Sequence, residues 1–221
     1  MQHGKIIVFE GLDGSGKCTQ SRILVDNLCS IGKNSKLVSI PNYLSQSSGP
    51  VKMYLNCEIS KNLYDINPFA TSSFFAVDRI INYIQHWRKF YNEKDSIIVC
   101  DRYSTSNMIY QLAKVDRNDW DKFLDWVCDF EYNKLGIPSP DIVIYLKVPI
   151  EVSQKLISAR STPDLHESNL DFLYSCSEAA EYSANKFNWN IINCSKDDSS
   201  IDSIEEISNK VFNLIKEKSI I

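Results

Sequence analysis

The residues with the clearest chemical meaning lie close to the amino terminus. Gly11-Leu12-Asp13-Gly14-Ser15-Gly16-Lys17-Cys18 matches G-x-x-x-x-G-K-[ST] at every defined position except the last. Glycines at these places let backbone N–H groups turn inward around phosphates, and a following helix adds the positive partial charge of its amino end. A lysine at this spacing reaches the terminal phosphates of a nucleoside triphosphate. Gly11, Asp13, Gly14, Ser15, Gly16, Lys17, Cys18 and Thr19 therefore form the candidate site for ATP as phosphoryl donor. The last motif position normally gives a hydroxyl to Mg²⁺, a hard cation that takes oxygen ligands. Cys18 offers a thiol there, and Thr19, one residue further round a helix, points about 100° away. The expectation is a protein that is active with a raised magnesium requirement.

The elements that must hold this loop are legible. Ile6-Ile7-Val8-Phe9 reads as a strand buried on both faces and running into the glycine turn. Ile23, Leu24, Leu28 and Ile31 recur at helical spacing, with Gly32 at the position of a helix carboxyl cap. Further strands are predicted at 36–40, 97–100, 142–148 and 189–194. Helices are predicted at 68–87, 104–113, 116–132 and 201–218, with a polar loop at 42–50. Strands alternating with helices predict an α/β fold, a P-loop three-layer sandwich with a five-stranded parallel sheet covered on both faces. The site then lies beyond the carboxyl ends of the strands. No composition shift marks a boundary, so residues 1–221 read as one domain, with a short lid near 155–168.

Bulk properties narrow the function classes. The chain has 221 residues, a formal net charge of −4 and 43% hydrophobic residues. This balance gives no sign of the basic face that nucleic-acid binding requires. The longest early apolar run, residues 6–9, is too short for a membrane span or signal peptide. The expected address is the cytoplasm, with neither nucleic acid nor membrane as partner. The seven cysteines form no C-x-x-C pair and do not cluster with His3, His86 and His166. They read as small buried apolar residues in a reducing compartment, not as a zinc or disulfide framework.

A second group of residues names the acceptor. Val99-Cys100-Asp101-Arg102-Tyr103-Ser104-Thr105-Ser106-Asn107-Met108-Ile109-Tyr110-Gln111 resembles the D-R-Y-x-x-S-N-x-[AVC]-Y-Q signature of the thymidylate kinase family. Only Ile109 departs, by size. Phe74-Phe75-Ala76-Val77-Asp78-Arg79 is similar to the family's L-[FY]-x-A-[DN]-R, and Pro41-Asn42-Tyr43 to its F-P-x-[YR] loop. Asp164-Leu165-His166-Glu167 resembles the segment that ends the family's lid.

The resemblance implies ATP-dependent phosphorylation of dTMP to dTDP, in the service of dTTP biosynthesis, by a homodimer. Asp101, at the end of a strand beside the phosphate-loop strand, is placed to orient Mg²⁺ directly or through water. Arg102 is placed to grip the acceptor phosphate with its planar fork. The resemblance further implies that Phe75 stacks on the base and that Arg79 donates to a base carbonyl. It gives Asn107 and Gln111 the pyrimidine edge, Asp13 the sugar 3′-hydroxyl, and Tyr103 the place that disfavours ribose. Pro41 and Tyr43 complete the acceptor site. The family's second arginine in that loop is missing, since no arginine lies between Arg22 and Arg79. Catalysis is assigned to Lys17, Arg102, Asp13 and Arg160. Gly14 cannot supply the arginine that some relatives carry in the loop, so the task falls to Arg160 in the lid, with Lys155 nearby.

Three alternatives remain open at this level. One is another P-loop kinase of nucleosides or nucleotides. A second is a degenerate nucleotide-binding homologue weakened by Cys18. The third is a GTPase-like switch, against which Asn133-Lys134-Leu135-Gly136 lacks the aspartate of N-K-x-D.

Overall fold

The apolar runs become a parallel sheet. The structure is a computed structural model describing residues 3–158, 169–197 and 200–221, without the side chains of 155–158, 196 and 197. Its five strands are β1 (Lys5–Glu10), β2 (Ser35–Ser39), β3 (Ile97–Asp101), β4 (Ile142–Lys147) and β5 (Asn190–Asn193), in the spatial order β2-β3-β1-β4-β5. Every pairing is parallel, and Phe9 lies opposite both Asp101 and Ile144. Side chains alternate across the sheet as the two-residue period demands. Ile6 and Val8 enter one core, Ile7 and Phe9 the other.

Eight α-helices are described: α1 (Lys17–Ser30), α2 (Gly49–Leu55), α3 (Pro68–Asn82), α4 (Arg88–Tyr91), α5 (Trp120–Cys128), α6 (Ile150–Ser158), α7 (Leu170–Phe187) and α8 (Ile204–Glu217). Leu24 and Leu28 of α1 pack with Ile207, Val211 and Ile215 of α8 on one face. Phe123 of α5 and Phe172, Cys176 and Ala179 of α7 cover the other. Local chemistry sets the ends. Gly32 adopts φ +77° after α1 and donates to the carbonyl of Cys29, as a left-handed carboxyl cap does. Asn67 caps α3 through Phe69 N–H, with Pro68 in the first helical position. Ser203 and Glu206 close α8 with a reciprocal capping box.

Two expectations need correction, and two helical stretches take a different form from a plain α-helix. The polar segment 42–50 is not all loop: a 3₁₀ turn at Gln46–Ser48 leads into α2, whose first turn accepts Pro50 because its N–H is not required there. Helix 68–87 ends as α-helix at Asn82 and widens into a π turn at Tyr83–Trp87. Residues 104–113 form no α-helix but a 3₁₀ turn, a π turn at Asn107–Gln111 and a further 3₁₀ turn. Of the cysteines, only Cys100, Cys176 and Cys194 are buried; Cys18 and Cys29 are exposed and Cys57 and Cys128 lie between. A small hairpin of β6 (Ser195–Asp197) and β7 (Ser200–Ile201) also had no signal in the sequence. No described helix is long and apolar enough to cross a membrane.

Candidate active site at the carboxyl ends of the strands

β1 is central, and the chain builds the sheet on one side of it before crossing to the other. Such a switch point opens a crevice beyond the strand ends. The phosphate loop fills it. Gly11 sits so tightly that a Cβ would stand 2.5 Å from Ser15 Oγ and 2.7 Å from the Leu146 carbonyl. Gly16 caps α1 in the left-handed region at φ +88°. Lys17 is buried, and its Nζ donates to the Leu12 carbonyl at 2.7 Å and lies 3.9 Å from Asp13 Oδ1. Burial, aided by the Arg102 charge, pulls the Lys17 ammonium down to about 8.

Beside the loop lies a cleft of about 300 Å³. All nine residues assigned to acceptor binding line it: Asp13, Pro41, Tyr43, Phe75, Arg79, Arg102, Tyr103, Asn107 and Gln111. They come from separate stretches of chain, which the strand ends and α3 bring together. The cleft touches the phosphate loop through Asp13.

At the loop end, Arg102 pairs with Asp13 Oδ1, while Tyr110 Oη donates to Asp13 Oδ2 at 3.1 Å. The Arg102 guanidinium also lies 5.1 Å above the Tyr110 ring. Its backbone is left-handed, φ +66°, a strained state for a residue with a Cβ. That turn aims the side chain from the end of β3 back across the loop. Burial works against the Arg102 charge, but Asp13, Tyr110 and Glu10 together outweigh it and hold the guanidinium well above its ordinary value.

The far end is built differently. Arg79 is buried, and Glu131 accepts from Nε at 3.0 Å and from Nη2 at 2.7 Å. Although it sits on a helix, Arg79 is not a solvated surface group. Asn107 Nδ2 donates to the same carboxylate at 3.3 Å. Tyr103 is fully buried, and its hydroxyl donates to the Pro138 carbonyl at 2.8 Å. The cleft therefore meets its ring; the hydroxyl is committed elsewhere. Phe75 meets Tyr54 edge-on at 6.3 Å. The Pro41–Tyr43 loop is tied down by Asp78, which accepts from Asn42 N–H at 2.9 Å and from Ser47 Oγ at 2.5 Å.

For the metal, Asp101 closes β3 next to β1, close enough for its charge to act on the Cys18 thiol. Burial and the Asp101 charge push that thiol up, away from the thiolate. Asp101 offers the hard oxygen that Mg²⁺ takes, and Cys18 does not. Arg160, Asp164, Leu165, His166 and Glu167 lie outside the described residues, as does the side chain of Lys155.

Sequence reasoning missed Glu10, Lys114 and Glu131, and quoted Asp78 in a motif without giving it a role. Glu10 ends β1, is wholly buried, and accepts from Thr105 Oγ1 at 2.7 Å and Ser106 Oγ at 2.8 Å. Its only signal was a charge closing an otherwise apolar strand. It ties the phosphate-loop strand to the turn that carries Asn107. Burial raises its affinity for a proton against the pull of Arg102.

A phosphate loop after the first strand of a parallel sheet, opening onto a second cleft with its own arginine, defines a P-loop phosphotransferase. The model of the thymidylate kinase family matches residues 9–207. The chain is 31% identical over 218 residues to a probable thymidylate kinase of Methanocaldococcus jannaschii, covering 98% of each chain. It is 28% identical over 159 residues to the thymidylate kinase of Homo sapiens, covering 70% of this chain and 66% of that one. Among solved structures, the thymidylate kinase of Candida albicans superposes with a TM-score of 0.74 at 21% identity, covering 99% of this chain and 93% of that one. The protein belongs to the thymidylate kinase family. Membership favours that reading over another P-loop kinase and over a degenerate homologue.

Proposed function

We propose that the protein transfers the γ-phosphoryl group of ATP to dTMP, giving ADP and dTDP by in-line displacement. The observation that carries this reading is the single cleft shared by all nine acceptor residues and joined to the phosphate loop at Asp13. Phosphoryl transfer needs little covalent help from a protein; it needs alignment and positive charge. Lys17 and the loop N–H groups hold the donor phosphates. Arg102 trades its pair with Asp13 for the acceptor phosphate, since a dianion is the stronger partner for the same fork. Asp13, released by Arg102, then accepts from the sugar 3′-hydroxyl. When bound, Mg²⁺, held from the protein side by Asp101, neutralises phosphate charge. Arg160 supplies the remaining positive charge over the transferring group.

Residues 1–221 act as one domain with a lid near 155–168. A homodimer is supported by the apolar residues that α3 and its extension leave exposed, Val77 and Ile84. The cytoplasm is the proposed location. The test is direct: the protein is incubated with ATP and dTMP, with Mg²⁺ and separately with Mn²⁺, and nucleotides are separated by chromatography. The expected product is dTDP in step with ADP. No dTDP with either metal refutes the reading.

A further inference from the structure

The cleft floor holds three polar side chains whose hydrogen bonds are partly spent. Arg79 gives Nε and Nη2 to Glu131, and no hydrogen bond among the described residues engages its Nη1. Asn107 gives its amide nitrogen to the Ser72 carbonyl at 3.4 Å and to Glu131 Oε1 at 3.3 Å, which leaves its Oδ1 uncommitted. Gln111 accepts at Oε1 from Lys114 Nζ at 3.2 Å, which leaves its amide N–H₂ uncommitted. None of these three atoms is among the enclosed, unpartnered polar atoms of the described residues. All three side chains line the cleft. The floor therefore offers it two donors, Arg79 and Gln111, and one acceptor, Asn107.

That set complements a base edge carrying two acceptors and one donor. A 4-oxopyrimidine such as thymine has this edge: two carbonyl oxygens flank an N–H. A 4-aminopyrimidine such as cytosine has one carbonyl, a bare ring nitrogen and an amino group. Its nitrogen would face the Asn107 oxygen, and its amino group would face an N–H donor. Each mismatch leaves buried polar groups unpaired.

We propose that Glu131 and Lys114, neither of which contacts the base, are the positioning residues that set this donor and acceptor pattern and so select 4-oxopyrimidine over 4-aminopyrimidine nucleotides. The proposal rests on the acceptor reading above. Glu131 occupies the inner edge of the Arg79 fork and orients the Asn107 amide with the same carboxylate. Its charge also cancels that of Arg79, so the floor draws a neutral carbonyl and leaves the phosphate to Arg102. Lys114 holds the Gln111 amide against a half-turn flip that would present oxygen in place of N–H₂. Lys114 is held in turn by Thr71 Oγ1 at 3.3 Å and packs over the Tyr54 ring.

The test compares wild type, Glu131→Gln and Lys114→Met, each measured in two ways. One is calorimetric binding of dTMP and dCMP without ATP, which needs no turnover. The other is kcat/KM for both acceptors with saturating ATP. Wild type is expected to favour dTMP by at least about 10²-fold, as sites built around buried hydrogen bonds do. Glu131→Gln is expected to reduce that preference about tenfold or more, since a side-chain amide can accept only one of the two Arg79 bonds. Lys114→Met is expected to reduce it several-fold while leaving the ATP KM unchanged. Because Lys114 is only partly buried, that variant folds even if the Glu131 variant does not. Equal losses for both bases in the folded variants overturn the proposal, because they mark a merely structural role. So does a wild type without preference for dTMP. A protein that binds dTMP over dCMP but transfers no phosphoryl group sinks the kinase reading alone.

Discussion

The two arginines of the cleft stand at opposite ends in opposite circumstances. Arg102 shares Asp13 with Tyr110, its side chain and that of Asp13 are 20% and 22% exposed, and its backbone is strained. Arg79 is clamped by both oxygens of Glu131, with exposures of 2% and 1%. A partly solvated pair can be exchanged for a ligand at smaller cost, because water and the ligand can replace its contacts. A buried bidentate pair cannot, because separating it strands a charge. The difference teaches a division by availability: one arginine keeps an edge open to exchange, and the other is fixed with its counter-charge in the wall of the cleft.

The largest expected effect comes from removing the available arginine. Arg102→Met is expected to lower kcat/KM for dTMP about 10³-fold, as loss of a charge-stabilising donor does, while the ATP KM moves less than about threefold. Steady-state kinetics with each substrate varied checks this. An equal rise in both KM values would place Arg102 on the donor side.

The fixed arginine is expected to matter most to stability. Arg79→Met leaves the buried Glu131 unpaired and is expected to cost about 3–5 kcal/mol, whereas Arg102→Met is expected to cost less, because Asp13 keeps Lys17 and Tyr110 as partners. The double variant Arg79→Met, Glu131→Met is expected to recover most of that loss. Denaturant unfolding of the three variants measures it, and similar costs for both single variants would erase the contrast.

A pH profile sharpens the loop end. With Lys17 near 8, its ammonium discharges as pH rises, so ATP binding by the free protein is expected to weaken above about pH 8. The linked stability runs the other way. Between about 8 and 10.5 the unfolded chain holds the proton that folded Lys17 has released, so this group adds stability as pH rises through that window. ATP titrations at pH 7 to 9.5 are expected to show the loss; constant affinity would contradict the depressed lysine.

The smallest expected effect is at the metal. Cys18→Ser restores a hydroxyl beside Asp101 and is expected to lower the half-saturating magnesium concentration several-fold, with the dTMP KM unchanged. Superimposable magnesium titrations would mean that Cys18 is not at the metal.

The sequence was most informative where a local pattern carries the physics. The glycines of the phosphate loop, the apolar strands and the carboxyl cap at Gly32 report conformations that neighbouring residues impose. The cleft residues were legible through ordered motifs, although their shared cleft depends on the strand order. What stayed hidden depends on distant packing. Glu131 sits on a segment of amphipathic helical appearance, where a carboxylate reads as a solvated charge until Arg79 is seen to face it from 52 residues away. Lys114 is hidden in the same way. The π turns at Tyr83–Trp87 and Asn107–Gln111 carry ordinary helical composition, so periodicity alone gives no sign of them.

The most direct measurement sets three acceptors side by side: dTMP, thymidine and dCMP, each with ATP and Mg²⁺ in a coupled assay of ADP release. Thymidine removes the group meant for Arg102 and keeps the base; dCMP keeps the phosphate and inverts the edge meant for Arg79. The expected result is efficient turnover of dTMP alone, with both others reduced at least about 10²-fold in kcat/KM. Thymidine turned over as well as dTMP would contradict a phosphate-gripping Arg102, and dCMP turned over as well as dTMP would contradict a base-selecting Arg79.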